Sequence, residues 1–337
     1  MERWILVLVA VAAALLSAGL IVVLLPHLRK LALAHPNARS SHRKPTPQGG
    51  GAGVILAAFG AAWAALAILG PFSAGDLRQF LALTAAAALL AIIGAVDDIR
   101  SISPLPRFLV QGVAVGIVIG SLPDGLRLLP VLPWWLEAAG LLVAGVWFVN
   151  LTNFMDGIDW MTVVEVVPMA AAIALLGSLG HVPMLVVVIA LALVGAILGF
   201  APFNKPVARL FLGDVGSLPI GLVLAWLSLQ VAMHGHVVAA LLLPLYYLVD
   251  ATLTLLRRAA KREPVWQAHR SHFYQRAVDG GFTVPEIVTQ VFAVNVVLAV
   301  LAWLSVAIPG PIVSVGLLAA GAALVAWLLA RLAKGKS

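Results

Sequence analysis

The sequence predicts an all-α integral membrane protein, a bundle of about eleven transmembrane helices that forms a single domain over residues 1–337. The chain is 62% hydrophobic and 10% charged, with a mean hydropathy of +1.07, so lipid rather than water must solvate most of its surface. Long apolar runs recur with short breaks, and no stretch between them is polar enough for a separate soluble domain.

Each predicted helix is an apolar segment close to the length of about 20 residues that a bilayer requires. The eleven segments lie near residues 3–28, 51–70, 78–96, 106–122, 134–151, 163–179, 182–200, 217–234, 236–256, 285–308 and 311–331. The first segment is too long for the apolar region of a signal peptide and no small-residue cleavage site ends it. We therefore expect it to be retained as a helix.

The basic residues predict the orientation of the bundle. Of the 21 Lys and Arg residues, alternate loops place Arg3, Arg78 and Arg127 on one side and the remaining 18 on the other, which is the cytoplasmic side by the positive-inside rule. The N-terminus is then outside and the C-terminus inside. The net charge of +7 reflects this bias and attraction to membrane lipids, and no nucleic acid partner is expected.

Five polar segments interrupt the apolar chain, and the helix count places all of them on the cytoplasmic side. They are residues 35–51, 95–100, 150–160, 203–217 and 268–276, numbered first to fifth below. They gather carboxylates, histidines and basic residues on one face, which predicts an active site there. The absence of cysteine excludes a thiol nucleophile, a disulfide and a Cys-zinc site.

The first segment has the composition of a phosphate-binding loop. Arg43 and Lys44 precede Pro45 and Pro47, and the glycines 49–51 lead into the second helix. Prolines stiffen the backbone, and glycines let backbone N–H groups approach an anion at a helix start. The alternative interpretation is an ordinary basic cytoplasmic loop.

Asp97 and Asp98 of the second segment end the third helix directly after an apolar run. Carboxylates at a helix C-terminus oppose the helix dipole, and adjacent carboxylates repel each other, so a metal ion or cations must offset them. The pair therefore indicates a functional role. Arg100 and Arg107 as simple counter-ions are the alternative.

In the third segment, Asn150, Asn153, Asp156 and Asp159 recur every three residues, which places them on one face if the segment is helical. Amides and carboxylates in a row at the membrane surface suit a sugar, a ribose or a metal ion. A solvated loop is the alternative, although such a loop seldom interleaves apolar residues.

In the fourth segment, Asp214 lies between glycines at a helix start, where a carboxylate and diphosphate oxygens together suit a hard cation. Asn204 and Lys205 precede it, and Phe211 either packs in the core or stacks on a base.

In the fifth segment, His269, Arg270 and His272 predict phosphate contacts rather than a zinc site. Asp250 lies seven residues before Arg257 on the same helical face, which predicts a structural ion pair.

Taken in order, the basic Pro/Gly loop and the sequences VDD, NLTNFMDGID, FLGDVGS and HRSHFYQR resemble the motif series of the polyprenyl-phosphate N-acetylhexosamine-1-phosphate transferases. This family includes the initiating enzymes for O-antigen, enterobacterial common antigen, teichoic acid and peptidoglycan lipid intermediates. The motifs extend from about residue 35 to residue 276, most of the chain. Family members are similar in having ten or eleven spans with their motifs in cytoplasmic loops.

The resemblance implies specific roles. Asp97 and Asp98 match an aspartate pair of which one deprotonates the lipid phosphate, and Asp156 and Asp159 match a motif for nucleotide-sugar binding and catalysis. The implied metal ligands are Asp214 and Asp98, with Mg2+ as the ion and Mn2+ as the alternative. The residues predicted to bind substrate are Arg43, Lys44, Asn150, Asn153, Asn204, Phe211, His269, Arg270 and His272.

The resemblance implies transfer of N-acetylhexosamine 1-phosphate from a UDP-sugar to undecaprenyl phosphate at the cytoplasmic face, with release of UMP. A homodimer is a further expectation. The fifth segment lacks the tandem histidines of the peptidoglycan branch and looks more like the O-antigen and common-antigen branch, and Trp160 stands where family members often have glycine. The alternatives are a phospho-MurNAc-pentapeptide transferase and a lipid-linked sugar flippase. Transporters, however, place their binding groups near the bilayer midplane.

Overall fold

A computed structural model describes residues 2–34, 44–70, 72–123, 125–264 and 269–336. The helices in this part of the chain are α1 (Glu2–Leu31), α2 (Gly51–Leu69), α3 (Ala74–Ile99), α4 (Pro104–Gly120), α5 (Trp134–Met155), α6 (Met161–Ser178), α7 (Met184–Phe200), α8 (Asp214–Met233), α9 (Val237–Leu242), α10 (Leu245–Ala260), α11 (Phe273–Asp279), α12 (Val284–Ala307) and α13 (Pro311–Lys334). Strands β1 (Leu33–Ala34) and β2 (Thr46–Pro47) pair antiparallel, with Leu33 opposite Pro47.

All eleven predicted apolar segments are helical, which confirms a helical membrane protein with several spans. Eight helices in the described part are long and apolar enough to cross a bilayer: α1, α2, α3, α5, α6, α8, α12 and α13. The apolar helices α4 and α7 have only 17 residues each. The segment predicted as one helix near residues 236–256 is instead divided into α9 and α10 next to Pro244, because proline cannot donate the backbone hydrogen bond that a continuous helix requires.

Helix α8 lies in the centre of the bundle, where it packs against α3, α5 and α2. Outside this group, α1 packs closely along α7. A Cβ atom added at Gly195 or Gly199 would lie only 2.0 or 2.2 Å from the carbonyl oxygen of Ala10 or Ala14. Two glycines four residues apart thus let the helix backbones touch, as is typical of membrane helix pairs.

Glycines also allow close backbone contact among three helix ends near the polar segments. A Cβ atom at Gly94 of α3 would lie 2.4 Å from the backbone of Asp214, the first residue of α8. A Cβ atom at Gly51, the first residue of α2, would lie 2.1 Å from the Cα of Gly216. These glycines therefore bring the end of α3 and the starts of α2 and α8 into direct contact.

Candidate active site

The first four polar segments are joined by hydrogen bonds. The Gln48 side chain donates to the backbone carbonyl of Asp98 (2.7 Å), and the Asp98 carboxylate accepts from the backbone N–H of Asp214 (3.0 Å). The Asn153 amide donates to the Asp214 carboxylate (2.8 Å). Residues from all four segments therefore meet at one end of the bundle, as the sequence predicts.

The fifth segment joins this group through Tyr274, whose buried hydroxyl donates to the backbone carbonyl of Phe154 (2.8 Å). A Cβ atom at Gly157 would lie 2.1 Å from that hydroxyl oxygen, so only glycine leaves room for Tyr274. Burial raises the pKa of Tyr274 well above its ordinary value, which keeps the phenol protonated as a donor.

Asp98 caps the N-terminus of α8 with both carboxylate oxygens. Its Oδ1 accepts from the N–H of Asp214 and its Oδ2 accepts from the N–H of Val215 (3.1 Å). Gly213, the residue before Asp214, has a φ of +77°, and a Cβ atom on it would lie 2.4 Å from Asp98 Oδ2. The positive end of the α8 dipole consequently points at the carboxylate cluster.

Arg107 bridges two carboxylates of the cluster. Its Nη1 lies 2.5 Å from Asp97 Oδ2 and 3.2 Å from Asp214 Oδ2. The other oxygen of Asp97 accepts from the backbone N–H of Ile102 (2.6 Å). Arg107 is thus a counter-ion to two aspartates that are far apart in sequence, a contact that helical spacing could not predict.

Asp156 follows α5 and accepts a short hydrogen bond from the Thr162 hydroxyl. Burial and the charges of Asp214 and Asp98 raise the pKa of Asp156 to about 8, although the bond from Thr162 favours the ionised form. The raised pKa thus reflects the negative charges of the cluster as well as burial, and the substrate role of Asp156 stays a prediction.

Asp159 and Asn204 hold the loop before α8. Asp159, which is buried, accepts from the backbone N–H of Ala208 (2.9 Å). The Asn204 amide accepts from the N–H of Trp160 (2.7 Å) and donates to the carbonyl of Leu210 (3.0 Å). Both side chains link the third and fourth segments, and their contact with substrate stays a prediction.

Asn150 is separated from this cluster by its burial between helices. It is 2% exposed, and its amide donates to the side chain of Gln111 (2.6 Å) on α4 and to the carbonyl of Val146 (2.8 Å). Asn153, one turn later on the same helix, contacts Asp214 instead. The regular spacing of the third segment therefore did not identify which amides face the cluster.

The fifth segment is anchored by Asp250, a residue of α10 with no exposed surface. Its Oδ1 lies 3.3 Å from Nδ1 of His272 and accepts from the backbone N–H of Phe273 (3.1 Å). The hydroxyls of Tyr246 and Thr254 also donate to the Asp250 carboxylate, each at a distance of 3.3 Å. The start of α11 is thereby fixed against α10.

The predicted ion pair between Asp250 and Arg257 is wrong. The Arg257 guanidinium lies over the ring of Phe273, with its Cζ atom 4.5 Å from the ring centre. The prediction considered only neighbours on the same helix, whereas the partner of Asp250 comes from a loop that packs on α10.

The two histidine rings of the fifth segment stack, with ring centres 4.9 Å apart. His272 is buried, and His269 is more exposed. Arg270 pairs with Asp279 at a distance of 3.1 Å. Among His269, Arg270 and His272, His269 is therefore the least constrained.

The other residues that are predicted to bind substrate lie in different surroundings. Lys44 is exposed, and Arg43 lies outside the described residues. Phe211 is half-buried, and its backbone N–H donates to the carbonyl of Pro47 (2.9 Å) while its own carbonyl accepts from the N–H of Gly50 (2.9 Å). These bonds hold Phe211 beside the first segment.

The donor set of the cluster fits a hard divalent cation. Asp97, Asp98 and Asp214 bring three carboxylates together, and among the described residues Arg107 is the cation seen to pair with them. Within those residues no three acidic or imidazole side chains form a ready-made metal site. Mg2+ typically takes one or two protein carboxylates and completes its shell with water and substrate phosphates, so this arrangement suits it.

Comparison with known proteins agrees with the motif series. Residues 80–232 match the family model of glycosyl transferase family 4. A probable undecaprenyl-phosphate N-acetylglucosaminyl 1-phosphate transferase of Bacillus subtilis is 26% identical over 84% of this chain and 80% of its own length. The decaprenyl-phosphate N-acetylglucosaminephosphotransferase of Mycobacterium tuberculosis is 28% identical over 77% of this chain and 72% of its own. These matches support the polyprenyl-phosphate hexosamine-1-phosphate transferase family for this chain.

The family match has a direct structural counterpart. The matched residues begin in α3 and end in α8, so they include Asp97, Asp98, Asp156 and Asp214 together with the helices that hold them. A phospho-N-acetylmuramoyl-pentapeptide-transferase of Streptococcus agalactiae is also similar, with 28% identity over 55% of this chain and 59% of its own. The chain is thus similar to more than one branch of these phosphosugar transferases.

Proposed function

We propose that this enzyme transfers N-acetylhexosamine 1-phosphate from a UDP-sugar to undecaprenyl phosphate at the cytoplasmic face of the bacterial inner membrane. The proposal rests on one observation above all, the carboxylate cluster at the N-terminus of α8, where Asp98 contacts the backbone of Asp214 and Arg107 bridges Asp97 and Asp214. A helix N-terminus and a guanidinium attract anions, and a carboxylate cluster attracts a divalent cation. A diphosphate bound to a metal ion carries a negative and a positive group, so it suits both parts of this cluster.

In the proposed reaction, an oxygen of the lipid phosphate attacks the sugar-bound β-phosphorus and the bond from that phosphorus to the UMP oxygen breaks. The products are undecaprenyl-diphospho-N-acetylhexosamine and UMP. Asp214 and Asp98 would hold Mg2+, which when bound offsets the negative charge of the diphosphate. Both oxygens of Asp98 retain a second lone pair beyond the backbone bonds that they accept.

The remaining residues position these groups. Asn153 and Arg107 hold the two oxygens of Asp214 in a fixed orientation, and Asp250 orients His272. A phosphate monoester has a second pKa of about 6, so a base has little proton to remove near pH 7. Orientation and charge neutralisation therefore contribute more to the rate than proton abstraction by Asp97.

The names of the relatives support a polyprenyl phosphate acceptor and an N-acetylglucosamine donor in those proteins. For this chain we propose UDP-N-acetylglucosamine or a related N-acetylhexosamine as the donor, in the initiation of O-antigen or another envelope polysaccharide. The peptidoglycan reaction remains the second candidate, because a relative with that name is 28% identical over 55% of this chain.

A donor panel tests the proposal. The purified protein is incubated with undecaprenyl phosphate, Mg2+ and the UDP-linked forms of GlcNAc, QuiNAc, FucNAc or MurNAc-pentapeptide, and UMP and the lipid product are measured. We expect UMP and a lipid-linked sugar with an N-acetylhexosamine donor. Product with UDP-MurNAc-pentapeptide alone would establish the peptidoglycan reaction instead. Transport of a lipid-linked sugar without UMP release would establish a flippase.

A further inference from the structure

An open cavity of about 820 Å³ lies between the start of α12 and the last turns of α13. We call it the α12–α13 cavity. Helix α12 starts at Val284, a short distance after α11, so the cavity is at the same end of the bundle as the carboxylate cluster. None of the residues assigned above to the active site is among those that line it.

The lining has an excess of positive charge. Arg331, Lys334 and Lys336 contribute three cations, and Glu286 contributes a carboxylate. The ammonium of Lys336 pairs with the Glu286 carboxylate at a distance of 2.6 Å. Arg331 and Lys334, both exposed on the last turns of α13, therefore provide the excess charge.

The cavity also has an apolar surface on α13, before its basic last turns. Trp327 is 54% exposed, and the Arg331 guanidinium lies 5.9 Å from its ring centre. Trp327 precedes Lys334 by seven residues, a distance of roughly 10 Å along a helix axis. A tryptophan at this distance from cations at the end of a membrane helix is typical of the boundary between hydrocarbon and headgroups.

The end of α13 and the residues after it, which border the cavity, contact the loop that follows α11. The backbone N–H of Lys336 donates to the carbonyl of Gly280 (2.8 Å), and Gly280 directly follows α11. A Cβ atom at Gly280 would lie 2.9 Å from the Cα of Gly335. The segment after α13 is thus held in place by backbone contact, which keeps Lys334 and Lys336 at the rim.

We propose that the α12–α13 cavity binds an anionic diacyl phospholipid, with its phosphate between Arg331 and Lys334 and an acyl chain along Trp327. Basic pockets between membrane helices recognise such headgroups. Trp327 is exposed on a helix that is long and apolar enough to cross a membrane, which favours a lipid over a soluble phosphate or a soluble protein. The proposal does not depend on the transfer reaction, because it concerns a surface outside the carboxylate cluster.

Native mass spectrometry of the full-length protein in detergent tests the proposal, with dioleoylphosphatidylglycerol as the anionic lipid and dioleoylphosphatidylcholine as the zwitterionic one. We expect the wild type to retain phosphatidylglycerol at least about tenfold more tightly, and the double variant Arg331→Gln/Lys334→Gln to lose about 25-fold in affinity, about fivefold for each cation. The control is Arg29→Gln/Lys30→Gln, which removes two exposed cations from the last turn of α1. This control should change the affinity less than threefold.

Several results would overturn the proposal. They are equal retention of the two lipids by the wild type, an equal loss in the control, and displacement of the lipid by free glycerol 3-phosphate. Displacement by undecaprenyl phosphate at equal concentration would assign the cavity to the acceptor lipid instead. If the double variant does not fold, Lys334→Gln alone should still lose about fivefold.

Discussion

Asp250 and His272 lie 3.3 Å apart, both buried, although 22 residues separate them in the sequence. When the Asp250 carboxylate accepts in this pair, Nδ1 of His272 is the donor, and Nε2 takes no part in the contact. Asp250 also accepts from the backbone N–H of Phe273, which fixes the first residue of α11. Asp250 is therefore a positioning residue for the histidine motif.

Asp250→Asn tests this relationship. The amide keeps the size of the side chain but removes its charge, so His272 should be held less firmly and turnover should fall about tenfold to a hundredfold. Thr254→Val is the matched control, because it removes a different donor to the same carboxylate. We expect the control to lose less than threefold in a UMP-release assay. Equal turnover of Asp250→Asn and the wild type would contradict the positioning role.

Asp214→Asn tests the proposed metal site. Asp214 contacts Arg107 and Asn153 and lies at the start of α8, so loss of its charge should reduce transfer at least about tenfold while the protein stays folded in detergent. Asp76→Asn is the control, because it makes the same change at the N-terminus of α3, the opposite end from Asp97 and Asp98. Retention of a tenth or more of wild-type activity by Asp214→Asn at saturating Mg2+ would exclude the metal assignment.

We expect direct transfer, in which the lipid phosphate attacks the UDP-sugar and no covalent enzyme intermediate forms. Such an enzyme cannot exchange free UMP into the UDP-sugar when the lipid is absent. Both oxygens of Asp98 accept backbone N–H groups, and those of Asp97 contact Ile102 and Arg107, which makes each carboxylate a poor nucleophile. Radiolabelled UMP should therefore not enter the UDP-sugar without lipid acceptor. Strong exchange by fully delipidated enzyme would favour a covalent phospho-aspartate.

The proposed orientation can be measured with single cysteines in this cysteine-free chain. Ser101→Cys lies next to the carboxylate cluster and is exposed, and Ser178→Cys is exposed at the far end of α6. A membrane-impermeant thiol reagent should label Ser178→Cys in intact cells, and should label Ser101→Cys only after permeabilisation. Labelling of Ser101→Cys in sealed cells would reverse the orientation and separate the site from a cytosolic donor.

The helices and the meeting of the polar segments could be predicted from the sequence, because apolar length and charge placement are local properties. The pairings of Asn150 with Gln111 and of Asp250 with His272 could not, since each joins elements whose contact depends on packing. The same limit explains the wrong pairing of Asp250 with Arg257, where helical spacing supplied a neighbour but not a contact. The break between α9 and α10 had a local signal in Pro244.

Trp160 provides a final test, at the position where the motif often has glycine. Its φ of +63° is left-handed, which costs a side chain roughly 1 kcal/mol or more, while its indole N–H donates to the carbonyl of Ala201 (2.7 Å). Trp160→Gly and Trp160→Ala both lose that hydrogen bond and the packing of the indole, but only glycine relieves the backbone. The glycine variant should therefore be more stable than the alanine variant by about 1 kcal/mol, measured by thermal unfolding in detergent. Equal stability of the two variants, or a more stable alanine variant, would show that the backbone at this position is not under strain.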